Sequence, residues 1–142
     1  MIIDSLLEFT GDAGQKITAA AASEYRIDFG QVAPTTGLDT YPMTAVFTIK
    51  AAVTGKLQIK LQDCDEEAGS YADCAASLEL DSPAVGTVIK IPVPYHHKRF
   101  MQAYFGGPTS GGPSAGTIHG CITTGFQDNV PPEVAPAIAS QY

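Results

Sequence analysis

Few residues in this chain combine type and spacing in a way that could do chemistry. Gly112-Pro113-Ser114-Ala115-Gly116 has the form G-x-S-x-G, which marks a nucleophilic serine only where a strand turns sharply into a helix. Here a Gly/Pro-rich loop precedes it and a Thr/Ile-rich run follows. His119 is the only His after Ser114, and it comes before the next acid, Asp128, so the order serine, acid, histidine fails. Asp81, His96 and Ser114 stand in an order a triad tolerates, and nothing else in the sequence supports them. Asp63-Cys64-Asp65-Glu66-Glu67 clusters carboxylates, but an EF-hand loop starting at Asp63 needs Gly and Glu where Ala68 and Cys74 stand. It reads as a solvated loop or a weak cation or partner contact.

His96 and His97 are adjacent, so on a strand they point to opposite faces and do not chelate one metal. His119 has no partner close in sequence, and zinc sites are built from closer ligand constellations. The glycine-rich stretch 106–116 lacks the lysine of a phosphate-binding loop. His96-His97-Lys98-Arg99 is a small basic patch, suited to a solvated turn or to an acidic protein surface. No catalytic residue, metal or cofactor is expected, and the chain does not read as an enzyme.

The elements that would have to position such residues are strands. Leu57, Ile59 and Leu61 alternate with Lys56, Gln58, Lys60 and Gln62, the period of a strand with one wet face. Met43, Ala45, Phe47 and Ile49 alternate in the same way, with Gly55 in the intervening turn, so the two predict a hairpin. Residues 25–29, 87–91, 100–105 and 117–126 read as further strands, with Gly120 and Gly125 as bulges or points of close approach. Residues 2–9 read as a strand or an ordered arm. Helix signals are confined to 19–22 and to a short stretch within 66–76. Residues 31–42, 106–116 and 128–142 read as irregular, the last with Pro131, Pro132 and Pro136. Short strands with Gly/Pro punctuation predict an all-β antiparallel β-sandwich or jelly roll with extended N- and C-terminal arms. The expected division is a sandwich with its N-terminal arm over 1–127 and a Pro-rich arm over 128–142.

Composition narrows the function classes. The 142 residues hold 8 Lys and Arg against 15 Asp and Glu, a net charge of -7, which argues against nucleic acid as a partner. Charged residues make up 16%, below the roughly 25% of an average chain, and this hydrophobicity is not that of a disordered chain. No apolar run approaches the roughly 18 residues of a membrane span, and the start of the chain has no basic segment of a signal peptide. Three cysteines are too few for a disulfide scaffold. Cys64 and Cys74 could pair under oxidant, but they and Cys121 read as small buried hydrophobes.

Several segments resemble the small capsid cement (decoration) proteins of tailed bacteriophages. They are Ile3-Asp4, Phe9, Gln15-Lys16-Ile17-Thr18, Ser23 and Ile27-Asp28-Phe29-Gly30, then Leu57–Gln62 before an acidic loop, then Lys98–Phe105, a Gly-rich turn and Ala115-Gly116-Thr117-Ile118. His96-His97 and the tail after Asp128 depart from that pattern. The resemblance implies a jelly roll on the outer surface of the virion capsid, made in the host cytoplasm. It would bridge subunits of the major capsid protein as a homodimer or homotrimer, with no cofactor. Candidate contact residues are Ile2, Ile3, Leu6, Phe9, His96, His97, Lys98, Arg99, Val130, Val134, Ile138 and Tyr142. The alternative is a carbohydrate- or ligand-binding β-sandwich using its tyrosines, for which the absence of Trp is unfavourable.

Overall fold

A computed structural model describes residues 5–30, 42–107 and 112–124. After a 3-10 turn at Ser5–Leu7, ten strands follow in the order β1 (Gln15–Lys16), β2 (Ala21–Ala22), β3 (Ile27–Asp28), β4 (Met43–Thr54), β5 (Lys56–Cys64), β6 (Ala72–Ala76), β7 (Leu80–Asp81), β8 (Val88–Pro92), β9 (Phe100–Gly106) and β10 (Ala115–Thr124). No α-helix occurs among the described residues.

Every pairing is antiparallel, in two sheets. The first has the order β1-β10-β4-β8; the second is β2-β9-β5-β6, with β3 also on β9 and β7 also on β5. The pairs β2/β3 and β6/β7 each occupy one edge as an interrupted strand. Counted so, the described residues form eight strands in sheets ordered 1-8-3-6 and 2-7-4-5, which is the jelly roll. Both edges of the second sheet are therefore short and broken, which limits edge-to-edge association there.

The inward faces of both sheets meet in one core. Ala45, Phe47, Ile49, Ile118 and Ile122 come from the first sheet, and Leu57, Ile59, Leu61, Met101, Ala103 and Phe105 from the second. The alternation in 43–49 and 57–61 is thus the inward face of β4 and of β5, as expected. Phe47 sits at the centre, stacked on Phe9 at 5.6 Å and edge-on to Phe105 at 5.9 Å, the offset and T-shaped arrangements that aromatic quadrupoles favour. Gly120 is a point of close approach: a Cβ there would lie 2.5 Å from Cε1 of Phe47.

Four expectations are corrected. β4 and β5 do not form a hairpin, because β4 pairs with β10 and β8 while β5 pairs with β9, β6 and β7. Only Gly55 separates them, too little for a two-residue hairpin turn, so the chain crosses from one sheet to the other. Gly55 does this at φ +97°, a conformation open to glycine, and is held by reciprocal bonds with Ser82: Gly55 N–H to Ser82 Oγ at 3.2 Å and Ser82 N–H to the Gly55 carbonyl at 2.9 Å. The helix signals in 66–76 and 19–22 give way to β6 and β2, since tertiary pairing with β5 and β9 overrides weak alanine propensity. Of residues 2–9, expected as a strand or an ordered arm, the described part is not a strand but the 3-10 turn and a single bridge between Glu8 and Cys121. Phe9, expected in a contact arm, is fully buried in the core.

Candidate functional site

The turn from β8 to β9 holds the basic patch and projects from the end of the sandwich where β4 begins. Val93 N–H bonds the Met43 carbonyl at 3.0 Å, and Phe29 N–H bonds the Arg99 carbonyl at 3.0 Å. Tyr95 is 69% exposed and meets the exposed His96 ring edge-on. His97 is half-buried, its ring 4.2 Å from Phe29 and its Nδ1 2.8 Å from the Lys98 carbonyl. Leu6, 79% exposed, belongs to the 3-10 turn, which packs on β3 and β10 at this same end. The structure thus gathers Leu6 with residues 95–99 on one end, although 89 to 93 positions separate them in sequence.

The charges of this patch are largely matched within the chain. Arg99 donates to both carboxylate oxygens of Asp28, Nε–Oδ1 at 2.8 Å and Nη2–Oδ2 at 3.0 Å, and its guanidinium lies 4.9 Å from the Phe100 ring. That fork holds the Asp28 carboxyl below its ordinary range, the hydrogen bond from Arg99 outweighing the effect of burial. Lys98 N–H bonds Asp63 Oδ2 at 3.1 Å, and its Nζ stands 3.8 Å from Asp65. The acidic cluster therefore divides. Asp63 is buried and fastens the β8–β9 turn, while Asp65, Glu66 and Glu67 are exposed on a loop closed by Gly69 N–H to the Glu66 carbonyl at 3.0 Å.

The other candidates separate. Ser114 N–H bonds the Thr54 carbonyl at the far end of β4, whereas His96 stands beyond the Met43 end. At about 3.3 Å per residue, the length of β4 puts roughly 35 Å between those ends, so Asp81, His96 and Ser114 do not come together. Cys64, Cys74 and Cys121 are free thiols. Cys74 donates to the Leu61 carbonyl at 3.3 Å, and burial pushes its pKa up to about 11. Ile2, Ile3, Val130, Val134, Ile138, Tyr142 and Gly125 lie outside the described residues, as do 31–41 and 108–111 of the loops expected over 31–42 and 106–116.

One constellation escaped the sequence reading. Glu8, Asp12 and His119 present ligand atoms that all lie within 4.8 Å of one another. Phe9 N–H to the Gly120 carbonyl at 2.8 Å and Gly120 N–H to Thr10 Oγ1 at 3.0 Å fasten the N-terminal segment alongside β10. The turn closed by Gly14 N–H to the Gly11 carbonyl then brings Asp12 over His119. His119 lies more than 100 positions from either carboxylate, and no local signal links it to them.

The described residues define a protein of the jelly-roll β-sandwich class, built around one apolar core. Residues 12–122 match the family described as Bbp16, and the chain belongs to this phage-associated family. No curated protein matches the chain.

Proposed function

We propose that this protein is a capsid cement protein: it binds the outer surface of a tailed-phage head and ties neighbouring major capsid subunits together. The observation that carries this reading is a jelly roll belonging to a phage-associated family. Its described end loops carry an exposed Leu6, Tyr95 and His96. Exposed apolar and aromatic groups beside a polar rim suit a protein interface, and arms that leave a core extend such an interface beyond the usual ~800 Å² per partner. The net charge of -7 keeps free copies apart before they meet the shell. In this reading the protein acts as a homodimer or homotrimer, needs no cofactor and engages neither nucleic acid nor membrane. The contact residues are Leu6, His96, His97 and Lys98 together with the segments 1–4 and 128–142. Arg99 serves to brace the turn.

The test is size-exclusion chromatography with light scattering, with and without purified undecorated heads. Co-elution at a fixed stoichiometry is the expected result, and that stoichiometry distinguishes two-fold from three-fold sites. A protein that never associates with heads overturns the proposal and returns attention to a ligand-binding sandwich.

A further inference from the structure

We infer that Glu8, Asp12 and His119 form a binding site for one divalent transition-metal ion, of the zinc class, which staples the N-terminal segment to β10. The argument starts from burial. The side chains of Glu8 and His119 are each 9% exposed, and a buried carboxylate is costly without strong donors or a cation. Among the described residues the Glu8 carboxylate has one such neighbour, His119 Nε2, at 3.5 Å. That is the limit of hydrogen bonding, and longer than a charge-assisted bond should be.

The spacing is instead that of two ligands on one ion. With metal–ligand bonds of about 2.1 Å, the edge of a tetrahedron is about 3.4 Å, so Glu8 and His119 already stand at ligand separation. Asp12 supplies the third atom within 4.8 Å. It is exposed on a turn, and a shift of at most about 1.4 Å, from that limit to the tetrahedral edge, completes three vertices and leaves the fourth to water. One imidazole with two carboxylates selects zinc and its neighbours over calcium or magnesium, which prefer oxygen alone. The ion would close a loop of more than 100 residues between Glu8 and His119, so its effect is on stability and on the seating of the segment that presents Leu6.

The untagged full-length protein, stripped with a chelator, is titrated with ZnCl2 by calorimetry and with CoCl2 by absorbance, and its melting temperature is followed. The expected result is one equivalent bound, a higher melting temperature with zinc, and a cobalt spectrum of nitrogen and oxygen ligands without a thiolate charge-transfer band. Asp12→Asn, at an exposed position that leaves the core intact, should weaken binding at least tenfold, whereas the double variant His96→Ala/His97→Ala should bind as the parent does. Wild-type protein that binds no more zinc than Asp12→Asn, a thiolate band from Cys121, or loss of binding in the His96/His97 variant each overturns the site. None of these outcomes depends on capsid binding.

Discussion

At the scale of single residues, the centre of the core and the thiols give the sharpest expectations. Phe47 touches Phe9, Phe105 and the backbone of Gly120. Gly120→Ala forces a methyl against that ring at 2.5 Å, and overpacking of this kind costs about 1–3 kcal/mol. Urea denaturation should show a lower midpoint with an unchanged slope. Gly120 was legible as a close-approach glycine in a strand, but which ring approaches it was not. Cys74 is the second case. The thiolate is the reactive form, and burial raises this thiol to about 11. Labelling with iodoacetamide at pH 7.5 should therefore leave Cys74 almost unmodified in the native protein, and urea should restore the reaction. Rapid native labelling at Cys74, read by peptide mass, would contradict its environment.

At the scale of elements, the fork between Arg99 and Asp28 ties β3 to the start of β9, beside the backbone bond from Phe29 to Arg99. Asp28 has a carboxyl whose folded pKa lies below its ordinary value of 3.8, chiefly through the Arg99 hydrogen bond. Its contribution to stability is therefore present above that value and disappears as pH falls through the lower folded pKa. Both partners are substantially exposed, so the effect is small. Melting temperatures measured from pH 6 down to pH 2.5 should show Asp28→Asn below the parent at pH 6 and converging with it at the acid limit. A constant offset across that range would mean that the charge contributes nothing. The Gly55 corner is the other element-level device. At φ +97°, with the Gly112 carbonyl 3.0 Å from a would-be Cβ, Gly55→Ala should cost about 1–2 kcal/mol from the left-handed backbone alone. Thermal unfolding of that variant measures it.

At the scale of the whole molecule, the family match ends at residue 122, before the Pro-rich segment. Removal of 128–142 is expected to leave the sandwich folded, with near-unchanged far-UV dichroism and melting temperature, while weakening head decoration or self-association. Truncated protein that decorates heads as tightly as the full chain would show that the arm does not contribute. A broken fold would show that the arm is part of the sandwich.

What the sequence determined by itself was the class of the fold and much of its core. Alternation at 43–49 and 57–61 assigns inward faces because a strand has period two, and this holds whatever the strand pairs with. The cysteines read as small buried hydrophobes by residue type, and Cys64 and Cys121 are buried, whereas Cys74 is only half-buried at the sheet edge. Only the tertiary structure decided which strands are neighbours. Alternation names a face and not a partner, so an apparent hairpin became the crossing between sheets at Gly55. It also decided that the alanines of β2 and β6 are strands, because pairing with β9 and β5 supplies more than their helix propensity. The meeting of Glu8, Asp12 and His119 belongs to the tertiary structure alone, since β10 and the N-terminal segment become neighbours only when a jelly roll lays its last strand beside its first.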